Sequence, residues 1–274
     1  MHMNSKEEFA ICYSHIGKRL NHEDNFLFNG NYVKADLQDK MREIQCCFSA
    51  ESSFSHVRFF AVSDGMGGHN AGEVASRVCV EKLALAQKEV QNFDSLQSVV
   101  AHVQKTIIEI NQVVCSMGER KKEWKGMGAT LVLLIIYGME CAVLNIGDSR
   151  VYHFNNKGLV QITKDHTEGQ RMLDLGILSR KELSGFPARK NLNRYIGYYQ
   201  NGYILQADEY YLKSEPGVIL LCSDGISDFI SDYRMQEILY TSDSLENAGR
   251  KILEEAVDSC NADNATLILV PFKG

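Results

Sequence analysis

Three stretches of the chain carry an apolar residue at every third or fourth position, which is the repeat of an amphipathic helix. The first begins near Asn70, the second near Ser95, and the third covers residues 244–257. Asn70 followed by Glu73 fits a capping box at the start of the first helix. The apolar positions are Ala75, Cys79, Leu83, Ala86 and Val90; Leu96, Val99, Val103, Ile107, Ile110 and Val114; and Leu245, Ala248, Ile252 and Ala256. The pattern predicts three long helices with one apolar face each.

Strand-like segments surround these helices. They are short, rich in β-branched and aromatic residues, and bounded by Gly, Asp or Asn, as strands are. The segments are RFFAVSD, ATLVLLIIY, CAVLNIG, RVYHF, VILLCSD and ATLILV. Tight turns at YGME and FNNKGL predict that neighbouring strands form antiparallel hairpins. Long helices packed on antiparallel strands place the chain in the α+β class.

One long segment has no decisive period. It reads NGNYVKADLQDKMREIQCCFSAESSFSH and lies within residues 29–58. Apolar spacing at Leu37, Met41, Ile44 and Phe48 fits an amphipathic helix, but the segment also fits an irregular insertion. Periodicity does not decide between the two.

Composition narrows the class of protein. The 274 residues include only 3 prolines and no Ser/Gly-rich linker, low-complexity tract or internal repeat, so we expect residues 1–274 to form a single domain. The formal net charge of −6 argues against a nucleic-acid partner, because phosphate backbones require a basic surface. The N-terminus lacks a signal-peptide pattern and no apolar run reaches 18 residues, so we expect neither secretion nor membrane association.

The 8 cysteines are scattered along the chain and contain no C-x-x-C pair, the usual mark of a zinc or redox centre. Several lie inside apolar runs, as Cys222 does in VILLCSDG. We therefore expect most of them to be buried, reduced thiols. This usage predicts a cytoplasmic protein.

Carboxylates recur where the predicted strands begin or end. The acidic residues at these positions are Glu23, Asp24, Asp64, Asp148, Asp224 and Asp263. A single Asp-Gly pair after a strand is most simply a turn. If the strand ends converge at one rim, however, the carboxylates would raise one another's pKa unless cations lay among them. Oxygen ligands alone favour Mg²⁺ or Mn²⁺ over zinc.

Glycines crowd the first of these carboxylates. Gly65, Gly67 and Gly68 allow a tight backbone turn, which would bring a carbonyl oxygen close to a cation held by Asp64. The helix predicted from Asn70 follows directly, and its free backbone amides would orient nearby acceptors.

The ordered motifs resemble a known family. RLNHEDN, FFAVSDGMGGHNAGEVAS, GMGATL, VLNIGDSRVYHF, QITKDHT, LLCSDGISD and DNATLILV resemble the metal-dependent serine/threonine protein phosphatases of type 2C, in the form typical of the bacterial branch. The resemblance runs from about residue 10 to 270. It implies a β-sandwich of two antiparallel sheets flanked by helices, in four layers, with a two-metal site at one end of the sandwich.

The resemblance also assigns ligands. Asp64 would bridge two Mn²⁺ or Mg²⁺ ions, and the carbonyl of Gly65 would bind one of them. Asp224 and Asp263 would complete the shell of the other ion. At the second metal either Glu23 or Asp24 would act, directly or through water. Asp148, in the GDSR motif, would hold a third, weaker ion together with Asp224.

The implied chemistry is hydrolysis of phosphoserine and phosphothreonine in proteins, reversing kinase signalling. Two cations lower the pKa of a shared water and offset the charge on the phosphoryl oxygens, so no protein nucleophile is needed. Arg19 is the candidate phosphate clamp, unless it only pairs with Glu23 or Asp24 at the surface. Two alternatives stay open: a phosphohydrolase acting on a non-protein ester, and a binding module without catalysis.

The sequence departs from the family pattern beside the site. His22 replaces the usual asparagine before the acidic pair, a change that we expect to matter little. Animal members carry a proton-donating histidine directly after the Asp-Gly pair, where this chain has Met66. His69 lies three residues further on and is either a general acid, an orienting group or a buried histidine bonded to backbone.

Residues 167–200 occupy the place of the family's flap beside the active site. Cations outnumber acids in this segment: Arg171, Arg180, Lys181, Arg189, Lys190 and Arg194. The flap is therefore either an attractor of acidic phosphorylated segments or a solvated loop. We expect a monomer whose partners are a phosphorylated protein and a cognate Ser/Thr kinase or its targets, with the insertion near 29–58 available for docking.

Overall fold

A computed structural model describes residues 9–34, 43–48, 56–67, 71–199, 202–212 and 215–273, with the backbone alone for 43–48. Its strands, in chain order, are β1 Ala10–His15, β2 Asn25–Phe28, β3 Asn31–Tyr32, β4 Glu43–Phe48, β5 Val57–Ser63, β6 Gly65–Met66, β7 Gly128–Ala129, β8 Leu131–Tyr137, β9 Glu140–Ile146, β10 Arg150–Asn155, β11 Gly158–Gln161, β12 Asp208–Leu212, β13 Gly217–Cys222 and β14 Ala265–Phe272. The helices are α1 Gly72–Glu89, α2 Leu96–Arg120, α3 Glu168–Asp174, α4 Arg180–Leu183, α5 Asp224–Ser227, α6 Asp232–Thr241 and α7 Leu245–Val257.

The strands form two antiparallel six-stranded sheets. The first has the order β11-β10-β13-β14-β1-β4, and the second has the order β12-β9-β8-β5-β2-β3. The two short strands β6 and β7 pair separately, Gly65 opposite Ala129. The predicted hairpins are confirmed: β8 returns into β9 with Tyr137 opposite Glu140, and β10 returns into β11.

The sheets are buried on both faces, because helices cover each outer face. Along β8, Leu131, Leu133 and Ile135 pack towards α1 and α2, whereas Val132, Leu134 and Ile136 fill the space between the sheets. Strand β14 alternates in the same way, with Leu267 and Leu269 facing α6 and α7. Burial on both faces explains why these strands are continuously apolar. The predicted four-layer sandwich is confirmed.

The three predicted helices are confirmed, and the apolar positions named for them are buried. Ser95 and Ser244 cap α2 and α7, each accepting a bond from the backbone N–H three residues on. The predicted capping box of α1 rests on Asn70, which lies outside the described residues. The helix begins at Gly72 after Ala71, and none of the described side chains caps it.

The segment predicted as a helix or an irregular insertion contains a strand instead. Glu43–Phe48 forms β4 and pairs antiparallel with β1, Ala10 opposite Phe48 and His15 opposite Glu43. The helical spacing of Ile44 and Phe48 was misleading, because pairing with a distant strand decides the backbone here. Leu37 and Met41 lie outside the described residues. None of the helices described is both long and apolar enough to cross a membrane.

Candidate active site

A cleft of about 940 Å³ opens where strands of both sheets end. Among its lining residues are seven of the predicted site residues: Arg19, Glu23, Asp64, Gly65, Asp148, Asp224 and Asp263. They are far apart in the chain and meet because both sheets present strand termini at the same edge. Asp24 is not among the lining residues, and His69 lies outside the described residues.

Two carboxylates from opposite sheets touch in the lining of the cleft. Asp64 follows β5 and Asp224 follows β13, and their side chains are hydrogen-bonded to each other. Burial, followed by the charges of Asp24 and Asp224, raises the pKa of Asp64 well above its ordinary value. Such a contact needs a shared proton or a cation between the oxygens.

The pKa values of the surrounding carboxylates are raised as well. Burial, with the charge of Asp224 next, raises the pKa of Asp148 to about 8. Burial and the charge of Glu73 raise the pKa of Glu23 to about 7. Asp24 is fully buried and accepts a hydrogen bond of 2.7 Å from the Ser223 hydroxyl. Burial raises its pKa to about 7. The site therefore concentrates more negative charge than it neutralises.

Gly65 is required by close packing. A Cβ atom at this position would lie 2.1 Å from the carbonyl oxygen of Gly72 and 2.7 Å from that of Glu23. The Gly65 N–H donates to the same Glu23 carbonyl at 3.2 Å. Gly67 has φ +151°, which favours glycine, whereas Gly68 lies outside the described residues. Glycine at position 65 therefore lets the start of β6 pass tightly against α1 and against the loop before β2 that contains Glu23, here called the Glu23 loop.

Two positioning residues were missed from the sequence. Thr130, in the GMGATL motif, accepts from the Asp64 N–H at 3.0 Å, and its own N–H donates to the Asp64 carbonyl at 2.8 Å. Asn264, in DNATLILV, holds the loop before β2: its amide donates to the carbonyls of Ile16 and Asn21, and its Oδ1 accepts from the Glu23 N–H at 2.7 Å. The available signal was a polar side chain directly before a strand, and for Asn264 also its place next to Asp263.

Arg19 lies at the rim with 59% of its side chain exposed. Its Nη2 donates to Oδ2 of Asp263 at 2.5 Å. Arg19 therefore forms its ion pair with Asp263. The alternative prediction, a surface ion pair with Glu23 or Asp24, is wrong. This contact is the main reason why the pKa of Arg19 is raised. The guanidinium is held beside the carboxylates with much of its surface open to the cleft.

The departures from the family pattern have different environments. Met66 lines the cleft, so a side chain without an exchangeable proton faces the site. His22 is only 2% exposed, and its Nε2 lies 3.0 Å from the Ser14 hydroxyl. Burial lowers the pKa of His22 to about 4, with the charge of His15 as the next cause. His22 is therefore neutral in the folded protein at physiological pH.

His22 predicts an acid-dependent loss of stability. An unfolded chain would protonate this side chain near 6.5, whereas the folded protein resists protonation down to about 4. The free energy of unfolding should therefore fall as pH drops from 6.5 towards 4, by about 3 kcal/mol from this group. His22→Asn should flatten the decline in urea unfolding, and His56→Asn, at an exposed position, serves as the control. Equal pH dependence of all three proteins would contradict the assignment.

Several cationic side chains of the flap form ion pairs with acidic residues of the same protein. Lys190 forms an ion pair with Asp228, Arg171 pairs with Glu168, and Arg194 pairs with Asp208. Lys190 also lines the cleft. The flap returns to the body through an isolated bridge between Ala129 and Ile196.

The carboxylates fit a divalent cation by their chemistry. In the part of the chain that the structure describes, no three acidic, histidine or cysteine side chains already surround one point as ligands do. Yet Asp64 and Asp224 are in contact, and Asp148, Asp263 and Glu23 line the same cleft. Hard oxygen donors with raised pKa values favour Mg²⁺ or Mn²⁺, which would replace the shared proton.

A four-layer sandwich with a carboxylate cleft at its strand ends is the architecture of the type 2C phosphatases. Residues 37–259 match the family model described as protein phosphatase 2C. The chain belongs to this family and is a protein phosphatase.

Relatives agree with this assignment. The serine/threonine phosphatase stp of Listeria monocytogenes serotype 4b is 32% identical over 210 residues, which cover 76% of this chain and 82% of that protein. The solved structure of serine/threonine phosphatase Stp1 from Staphylococcus aureus is 25% identical, with a TM-score of 0.78 over 100% of this chain and 98% of that chain. The catalytic domain of phosphatase PstP, solved with two manganese ions, is 26% identical, with a TM-score of 0.71 over 95% and 97% of the two chains.

Proposed function

We propose that this phosphatase hydrolyses phosphoserine and phosphothreonine in proteins with water activated at a binuclear Mn²⁺ or Mg²⁺ site. The contact between Asp64 and Asp224 inside a cleft lined by further carboxylates is the observation that carries the proposal. The serine/threonine phosphatases among the relatives, and the two manganese ions in the PstP structure, support the substrate class and the metal.

The proposed ligands are those that the family resemblance implies, and most of them line the cleft. Asp64 would bridge the two ions, with Asp224 and Asp263 on one side and Glu23, or Asp24 through water, on the other. The carbonyl of Gly65 would contribute a further oxygen, and Asp148 with Asp224 would hold a third ion. Bound cations of this kind lower the pKa of a coordinated water and offset the charge of the phosphate. Because Met66 cannot donate a proton, protonation of the leaving alkoxide would fall to His69 or to water.

Arg19 would clamp the substrate phosphate, since it lies at the cleft rim and a guanidinium is able to donate two parallel hydrogen bonds to a phosphate. Arg19→Ala should lower kcat/KM for a phosphopeptide by about 10- to 100-fold, the loss of a hydrogen bond to a charged group. Arg19→Lys should recover only part of it. Lys18→Ala removes the same charge from the same rim and is the control. An equal loss of kcat/KM in Arg19→Ala and Lys18→Ala would contradict the clamp, because it would show that Arg19 attracts the phosphate only through its charge.

The function is tested by phosphate release from a phosphopeptide panel with Mn²⁺, with Mg²⁺ and with excess EDTA. We expect release with either cation and none in EDTA. Undiminished activity in EDTA would refute the metal mechanism. Hydrolysis confined to small esters such as p-nitrophenyl phosphate would refute the protein substrate class.

We further propose that residues 1–274 work as one monomeric domain in the cytoplasm, opposing a Ser/Thr kinase. Burial raises the pKa of the Cys79, Cys141 and Cys222 thiols to about 12, which keeps them protonated and unreactive. Buried free thiols of this kind support a reducing compartment. Light scattering after size-exclusion chromatography would test the monomer, and a dimer mass would contradict it.

A further inference from the structure

The GDSR loop carries Asp148 into the cleft and is held at both ends by the KDHT motif. At one end the Gly147 N–H donates to Nδ1 of His166 at 2.9 Å, and the His166 N–H donates to the Gly147 carbonyl at 2.9 Å. At the other end Arg150 forms a bidentate ion pair with Asp165, including a contact of 2.7 Å. Asp148 lies between these two attachment points.

The first attachment depends on a single tautomer of His166. A backbone N–H only donates, so Nδ1 must be the unprotonated acceptor, and the ring proton is on Nε2. Nε2 lies 3.1 Å from Oδ2 of Asp208, the acceptor that this tautomer needs. Burial, followed by the charge of Arg194, lowers the pKa of His166, although Asp208 and Asp165 act in the opposite direction. The ring is 8% exposed and neutral.

Within the described residues, His166 is the side chain that holds the backbone of Gly147 by a hydrogen bond. Its φ of +100° favours glycine, and a Cβ atom would lie 2.7 Å from the side chain of Thr130. Thr130 also bonds the hydroxyl of Ser149 at 2.7 Å and the backbone of Asp64. A displacement of Gly147 would therefore also move Thr130, and with it Ser149 and the backbone of Asp64.

The same imidazole contacts the base of the flap. Nε of Arg194 donates to Nδ1 of His166 at 3.1 Å, so this nitrogen accepts from both Gly147 and Arg194. Nη2 of Arg194 contacts Nε2 of the ring and forms an ion pair of 2.5 Å with Asp208. The Asn193 N–H donates to the His166 carbonyl at 3.0 Å. Thr167 forms an isolated antiparallel β-bridge with Leu192. His166 is thus the residue at which the flap, β12 and the GDSR loop meet.

We infer that His166 is a positioning residue that fixes Asp148 in the cleft through Gly147 and connects this loop to the base of the flap. The inference rests on the proposed function for the role of Asp148. Outer residues that orient a metal ligand affect metal affinity and turnover by about 10- to 100-fold when they are changed. A residue of this kind changes kcat more than KM, because it does not touch the substrate.

Two substitutions separate the side-chain bond of His166 to Gly147 from its side-chain bond to Asp208. The amide of Asn lies where Nδ1 lies, so His166→Asn keeps an acceptor for Gly147 and loses the contact with Asp208. The amide of Gln reaches the position of Nε2, so His166→Gln keeps the contact with Asp208 and loses Gly147. Both variants remove the imidazole and its packing, so each controls for the other. Wild type and both variants would be compared in phosphopeptide kinetics and in Mn²⁺ titration by calorimetry.

We expect His166→Gln to lower kcat by about 10- to 100-fold with little change in KM and to weaken Mn²⁺ binding, and His166→Asn to restore most of both. Equal losses in the two variants, or wild-type behaviour of His166→Gln, would overturn the inference. If wild type released no phosphate, the proposed function would fail, while the Mn²⁺ titration would still decide the role of His166.

If His166→Gln does not fold, Asp208→Asn carries the test. Without the carboxylate, Nε2 protonation is less favoured and Nδ1 is a poorer acceptor for Gly147. The kcat of Asp208→Asn should fall in the same direction by a smaller factor, with weaker Mn²⁺ binding. An unchanged kcat and an unchanged Mn²⁺ titration would overturn the inference.

Discussion

Asp64→Asn should abolish metal-dependent phosphate release and yet raise the stability of the metal-free protein. The loss of activity is expected to be on the order of 10³-fold or more, because the carboxylate in contact with Asp224 is the proposed bridge between the cations. The gain in stability follows from the raised pKa of Asp64. A carboxyl group that resists ionisation in the folded state destabilises that state at neutral pH.

The measurement combines phosphate release with urea unfolding in EDTA and in Mn²⁺. In EDTA at pH 7, the variant should have the higher free energy of unfolding. Mn²⁺ should stabilise wild type, since a ligand that binds only the folded state raises its stability, but should have little effect on the variant. Asp94→Asn, at an exposed loop position, is the matched control. Equal stabilisation of Asp64→Asn by Mn²⁺ would disprove the bridging role.

Asn264→Ala should destabilise the fold and impair catalysis together. The substitution removes the amide that holds Ile16, Asn21 and Glu23, and it leaves three backbone groups without this partner. The expected cost is about 2–4 kcal/mol, since each unsatisfied buried group costs about 1–3 kcal/mol and water will reach some of them. The loop also carries Arg19, so kcat/KM should fall by about 10-fold or more.

Thermal and urea unfolding, followed by kinetics below the unfolding transition, would check both effects of Asn264→Ala. Asn247→Ala is the control, because the hydrogen bonds described for its side chain are local, to Asp243 just before α7 and to Arg250 on α7. Its change in stability should stay within about 0.5 kcal/mol. If Asn264→Ala were no more destabilising than Asn247→Ala, the Glu23 loop would not depend on this amide.

Local patterns were sufficient for most of the helices and strands. The run LVLLIIY forms a strand whose alternate residues face two different cores, and its β-branched, continuously apolar character already indicates this burial. The apolar spacing of α2 and α7 names the buried faces correctly. Aspartates directly after apolar strands indicate a shared rim, which Asp64, Asp148 and Asp224 occupy.

Pairings between distant segments decided the rest. The segment around Ile44, for which a helix and an irregular insertion were both open, contains strand β4, because β1 offers an open edge on the side away from β14. Arg19 pairs with Asp263 rather than with the neighbouring acids, because the start of β14 lies beside the loop that precedes β2. The flap cations Lys190 and Arg194 find acids outside the flap. The periodicity of a local segment does not predict these pairings, because the partners are far apart in the chain.

The sequence by itself determined the class of fold, the faces of the main helices and the residues with metal-binding chemistry. These depend on side-chain type and on short-range spacing. Only the tertiary structure decided which groups touch: Asp64 with Asp224, Asn264 with the Glu23 loop, and His166 with Gly147. The physical reason is that hydrogen bonds and ion pairs act over a few ångströms, and the register of strands far apart in the chain sets those distances.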